Sequence, residues 1–157
     1  MEQQPTAAAH PALEEEVFVS LVRTVEALTR RGEVLLKRHG LTAAQYNVLR
    51  ILRGAGGEGL ACREIGERLL TRDPDITRLL DRIETRGLIA RAREEEDRRV
   101  VKTRITPEGL RLLAELDAPV REIHRRQLRG LPATALKELL RLLQRARSAA
   151  EAEPAQE

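Results

Sequence analysis

Apolar residues recur every three or four positions at Leu13, Val17, Leu21, Val25 and Leu28, a spacing that predicts an amphipathic helix reaching about Arg38 and stopped by Gly40. Gly32 is the one weak point within it. Thr42 followed by Gln45 forms a capping box, and Leu41 with Tyr46 occupies the flanking hydrophobic-staple positions, so a second helix starts at Ala43. Val48, Leu49, Ile51 and Leu52 continue it until the glycines Gly54, Gly56, Gly57 and Gly59 turn the chain into a loop. A short helix over about Cys62 to Leu70 follows, with Ile65 and Leu69 one turn apart.

Asp73 and Pro74 read as an N-cap and first helical residue, opening a fourth helix in which Ile76, Leu79, Leu80 and Ile83 share a face and Gly87 is the stop. Two short strands are expected over Leu88 to Arg93 and Val100 to Ile105, joined by the charged hairpin Glu94-Glu95-Glu96-Asp97-Arg98-Arg99. In the second strand Val101 and Thr103 alternate with Lys102 and Arg104. Thr106 caps a fifth helix with Pro107 at its first position and Leu110, Leu113, Leu116, Val120 and Ile123 on one side; Pro119 inside it predicts a kink or a break. Gly130 and Pro132 precede a last helix carrying Leu136, Leu139, Leu140, Leu143 and Ala146.

A short helix, a tight turn, a second amphipathic helix and a basic hairpin occur in the order of a winged helix-turn-helix, whose second helix enters the major groove of DNA. The expected fold is therefore mainly α with a small β-wing. Residues 1–12 and 151–157 are polar tails, 41–106 the DNA-binding lobe, and 13–40 with 107–150 the dimerisation helices. The dimer follows from a shortage of cover. The first, fifth and sixth helices carry broad apolar stripes that a winged core of about 65 residues is too small to bury, and a second copy supplies the missing surface. An intrachain bundle of the same helices is the competing arrangement.

Within the fourth helix Arg78, Arg82 and Arg86 stand four residues apart, and like charges at that spacing repel unless an anion lies over them. Phosphates supply that anion; alternatively the stripe is solvated and partly neutralised by Asp81 and Glu84. Thr71, Arg72 and Thr77 lie at or before the first turn, where side chains reach base edges. Asp73 and Asp75 suit capping of the helix, Asp75 having cytosine N4 as a second conceivable partner. The mixed-charge hairpin has two readings: either its tip is simply solvated, or Asp97 orients an arginine while Arg98 or Arg99 enters the minor groove or holds a phosphate.

Composition adds limits rather than a direction. The 157 residues fit one domain, and 28 basic against 25 acidic residues leave no strong overall field. One Tyr and one Phe are too few for stacking platforms, which points to duplex over single-stranded nucleic acid. The single cysteine, Cys62, excludes an intrachain disulfide and fits a reducing, cytoplasmic setting. An acidic N-terminus without an apolar stretch is unlike a secretory signal, and no apolar run approaches a membrane span of about 20 residues. His10, His39 and His124 are scattered and serine is confined to Ser20 and Ser148, so neither an enzyme's convergent set nor a metal-sensing cluster is expected, and no cofactor is implied.

At residues 41–109 the chain resembles the MarR family of bacterial transcription regulators, in the stretches LTAAQYNVLRIL, ITRLLDRIETRGLIAR and EEDRRVVKTRITPEG. The resemblance extends more loosely through the flanking helices. It implies a homodimer that binds a pseudo-palindromic double-stranded DNA site as a ligand-responsive repressor. Asp97 and Arg99 match the wing residues that hold and insert a minor-groove arginine, and Arg72 to Arg78 match the start of the recognition helix. Many members carry a small polar residue where Arg72 stands. The effector implied is a small anionic or phenolic molecule, or oxidation of a cysteine, acting on the distance between the two recognition helices. Tyr46 and His39 lie near where similar proteins form the ligand pocket, while Cys62 is not where peroxide-sensing members place theirs. The alternative function is a winged-helix protein-interaction module that does not read DNA.

Overall fold

The computed structural model describes residues 12–71, 73–94 and 99–152. Among these, α1 spans Leu13–Arg38, α2 Ala43–Ala55, α3 Cys62–Arg68, α4 Ile76–Thr85, α5 Pro107–Gln127 and α6 Ala133–Ala152, with strands β1 at Leu60–Ala61, β2 at Ile89–Arg93 and β3 at Val101–Ile105. The chain divides into two compact units, residues 1–120 and residues 121–157.

Both predicted glycine stops are built the same way. At the end of α1, Gly40 takes φ 67°, its N–H donates to the Lys37 carbonyl, and the Leu41 N–H donates to Leu36 O at 2.9 Å. At the end of α4, Gly87 takes φ 69°, its N–H donates to Glu84 O, and Leu88 N–H donates to Ile83 O at 3.3 Å. Each is a Schellman motif, which needs the left-handed conformation that glycine adopts without a Cβ penalty. The apolar residues bracketing each turn, Leu36 with Leu41 and Ile83 with Leu88, are buried, so each stop also feeds the core. The capping box of α2 is present as expected: Gln45 N–H donates to Thr42 Oγ1, and Thr42 N–H donates to Gln45 Oε1.

The core of the first unit joins Val48, Leu49 and Leu52 of α2, Ile65 of α3, Leu79, Leu80 and Ile83 of α4, Ile89 of β2, and Leu113 and Leu116 of α5. Removing each such side chain from water contributes about 1.5–3 kcal/mol, which explains how so short a helix as α3 holds its place. Tyr46 packs against the rim of this cluster.

The sheet has order β1-β3-β2, all antiparallel, with Leu60 opposite Thr103 and Ile89 opposite Ile105. Strand β1 has no counterpart in the sequence reading, because two residues are too few to show an alternation. Gly59 is what admits it: at φ 69°, a Cβ there would stand 2.7 Å from the Thr103 carbonyl oxygen. In β3 Thr103 is buried, whereas Val101, the first residue of the strand and opposite Arg93, is 41% exposed.

Three other expectations are corrected. The fourth helix begins at Ile76 with Asp75 as its N-cap, not at Pro74 with Asp73. Asp73 Oδ1 accepts from the Asp75 N–H at 2.9 Å, an Asx turn that competes with helix and delays its start by two residues. α3 ends at Arg68 instead of reaching Leu70. Finally, of the kink or break expected at Pro119, the break is absent, since α5 continues through it. One lost hydrogen bond is offset by the packing of Leu113, Leu116 and Val120 on the same core.

α1 contributes only Leu36 as a buried residue; Leu13, Phe18, Val22 and Val25 are more than half exposed. The second unit holds the end of α5 and α6, where no residue of α6 is buried and Leu139, Leu140 and Leu142 are exposed. Among the described residues no helix is long and apolar enough to cross a membrane.

Candidate nucleic-acid interface

Helix α4 separates its two faces cleanly. Leu79, Leu80 and Ile83 enter the core, while Thr77, Arg78, Asp81 and Arg82 face solvent. Its N-terminus is finished by Asp75, whose Oδ1 accepts from the Arg78 N–H at 3.0 Å while Oδ2 lies 3.4 Å from Arg78 Nε. Asp75 is thus the cap of the helix and a partner of Arg78. Thr71 is exposed in the turn before it. That turn is held from below by Asn47 of α2, whose Oδ1 accepts from the Leu70 N–H at 2.8 Å. The apolar pattern of α2 gave no reason to single out Asn47, since its partner lies 23 residues away.

The arginines at four-residue spacing do not share one environment. Arg82 is exposed and has no ion-pair partner among the described residues. Arg78 leans on Asp75. Arg86 is the C-cap of α4, and its guanidinium turns back to the corner between α1 and α2, where Nη1 donates to Gly40 O at 2.5 Å and Nη2 donates to His39 O at 3.2 Å.

Asp81 and Glu84, which in the alternative reading partly neutralise this stripe, pair with another residue. Arg91 of β2 donates from Nε to Glu84 Oε2 at 2.8 Å and from Nη2 to Asp81 Oδ1 at 2.5 Å, and its backbone N–H donates to Glu84 Oε1 at 3.0 Å. The Arg91 guanidinium holds the Glu84 carboxyl below the ordinary glutamate range. Both acids of α4 thus pair with the root of the hairpin, and Arg82 stands exposed on the outer face.

The hairpin root is fixed a second time by Arg104 of β3, which donates from Nε to Gly57 O and from Nη2 to Glu94 Oε1, both at 2.8 Å. At the point where β2 and β3 part, Glu94 N–H donates to Val100 O. Arg99 is exposed just beyond. Arg72, Asp97 and Arg98 lie outside the described residues.

His39 and Tyr46 both belong to the first unit but have separate local roles. His39 caps α1, its Nδ1 3.1 Å from Leu35 O. Tyr46 is half-buried with Arg50 stacked over its ring at 5.8 Å. A groove of about 560 Å³ lies elsewhere, along α1, lined by Glu15, Val19, Arg23 and Leu28 among others. Cys62 is the first residue of α3 and half-buried. Among the described residues no three His, Cys, Asp or Glu side chains are grouped to hold a metal ion.

Residues 39–100 match the family model described as MarR family. The transcriptional regulator TtmR of Methylorubrum extorquens (strain PA1) is 35% identical over 106 residues, 68% of this chain and 53% of that protein, so the match spans about half that relative's length. Among solved structures, a MarR transcription factor from Planctomyces limnophilus is 44% identical, covers 86% of this chain and 98% of its own, and superposes with a TM-score of 0.66. CouR from Rhodococcus jostii RHA1, solved bound to p-coumaroyl-CoA, is 30% identical over 86% of this chain and 94% of its own, with a TM-score of 0.73.

Proposed function

Because the chain belongs to the MarR family of winged helix-turn-helix transcription regulators, we propose that it binds double-stranded DNA as a homodimer, laying α4 in the major groove and the β2–β3 wing beside it. The observation that carries this reading is the division of α4. One face is sealed into the core, the acids on its flank are committed to Arg91, and Thr77, Arg78 and Arg82 stand exposed at groove-reading positions. Thr71 precedes them, and Arg99 extends the basic surface to the wing; Arg72, Asp97 and Arg98 complete the proposed contact set. Asp75 belongs to it as the cap that fixes where α4 begins.

The dimer is supported by the exposed apolar positions of α1, with Leu13, Phe18 and Val25 each more than half open to water, side chains that a second copy would cover. Repression, a cytoplasmic location and release by a small anionic or phenolic effector belong to the same proposal. CouR, with its bound acyl-CoA of a phenolic acid, supports the effector class. His39 and Tyr46 remain the proposed pocket residues, and no catalytic step is assigned to the chain.

The deciding experiment selects bound sequences from a random duplex pool and measures affinity for the winner across salt concentrations. A pseudo-palindromic winner with half-sites about one helical turn apart, bound with a steep salt dependence, is expected. Failure to bind any duplex at low salt would sink the reading.

A further inference from the structure

We infer that Arg86 is a positioning residue for DNA recognition rather than a phosphate contact: it fastens the C-terminal end of α4 to the corner where α1 meets α2. This rests on the DNA-binding reading of α4. Four-residue spacing places Arg86 in line with Arg78 and Arg82, yet it stands one residue beyond the helix, as its C-cap. There its two terminal nitrogens are spent on the carbonyls of Gly40 and His39, at 2.5 and 3.2 Å.

Three features make that contact specific to arginine. The two acceptors are successive carbonyls at the end of α1, where unpaired C=O groups and the helix dipole attract a cation. A forked, planar guanidinium bridges both at once, which a single ammonium does not. And Gly40, in the left-handed conformation, lets the fork lie close: a Cβ there would stand 3.2 Å from Arg86 Nη2. Across the helix, Arg91 grips Asp81 and Glu84. α4 is therefore tied at its cap to the α1–α2 corner by Arg86 and along its flank to β2 by Arg91. The angle at which Thr77, Arg78 and Arg82 are presented depends on both ties.

A phosphate contact and a positioning contact differ in salt dependence. Each phosphate neutralised adds about 0.9 to the slope of log K against log salt. The test uses the full chain, the duplex won from the random pool, and a second duplex of random sequence. Arg82→Ala serves as the contact control, expected to flatten the slope by about two, one phosphate in each half-site of the homodimer. Arg86→Ala is expected to weaken binding to the selected duplex about fivefold to tenfold, with its slope and its affinity for the random duplex unchanged. Arg86→Lys, which keeps the charge but not the fork, is expected to behave like Arg86→Ala.

A slope lowered by about two in Arg86→Ala and restored by Arg86→Lys would make Arg86 a phosphate contact in both half-sites and overturn the inference. So would unchanged discrimination between the two duplexes at a temperature where the variants are folded, or loss of folding in both variants, since either reduces the contact to a fold element. If the unaltered chain binds neither duplex, the DNA-binding reading fails first and takes this inference with it.

Discussion

Arg91 and Glu84 make the tightest joint between the candidate recognition helix and the wing: one carboxylate takes the Arg91 Nε, an Nη2 and the Arg91 backbone N–H. Charge-assisted hydrogen bonds of this kind, at a half-buried site, contribute about 1–2 kcal/mol together. Arg91→Ala should lower the free energy of urea unfolding by about that amount. It should also raise hydrogen exchange at the β2 amides more than at those of α2. An equal rise in both elements would mean that the pair supports the whole fold and does not hold the wing in particular.

The same pair predicts a response to acid. Arg91 lowers the pKa of Glu84 in the folded chain, so the unfolded chain binds that proton first as pH falls. The stabilisation is complete above the ordinary glutamate value and is lost as pH drops through the lowered one. Stability should decline as pH falls below the ordinary glutamate range, and Glu84→Gln should make the decline shallower. Parallel curves for the two proteins would assign acid sensitivity elsewhere, Glu122 and Glu138 being lowered by arginines in the same direction.

Gly109 is predicted to be intolerant of any side chain. A Cβ there would collide with the Leu88 carbonyl oxygen and stand 2.8 Å from Ile105 Cγ1, while its N–H donates to the capping Thr106 Oγ1 at 3.1 Å. Gly109→Ala should cost about 1–3 kcal/mol through overpacking, despite alanine's better helix propensity. A stabilised variant in thermal unfolding would show that α5 shifts freely.

Leu113 has no solvent exposure and packs in the cluster shared by α2, α4 and α5. Leu113→Ala should cost about 2–5 kcal/mol. A loss below that range in chemical denaturation would indicate a core able to close over the gap.

In the wing, Arg99→Ala should weaken binding to selected and random duplexes alike and leave the melting temperature within a few degrees. Weakening confined to the selected duplex would instead give Arg99 a role in reading sequence.

Much of the helical frame was legible in the sequence. α1 runs Leu13–Arg38 as its apolar spacing indicates, α2 begins at Ala43 behind its capping box, and Gly40 and Gly87 stop their helices. These are local matters. A cap, a Schellman turn and a 3.6-residue period are settled by residues within one or two turns of each other. The two-residue β1 was not legible, nor was the start of α4 at Ile76: the first depends on a partner strand some 40 residues away, and the second on an Asx turn that competes with an equally plausible cap.

The basic stripe of α4 divides along the same line. By itself the sequence determined that Arg78, Arg82 and Arg86 follow one another at helical spacing beside the acids Asp81 and Glu84. Only the tertiary structure decided what each does. It gave the acids to Arg91 and turned Arg86 onto carbonyls 46 and 47 residues distant, leaving Arg82 on the open face. Helical spacing specifies a direction from the axis; which groups wait in that direction depends on where the rest of the chain has packed.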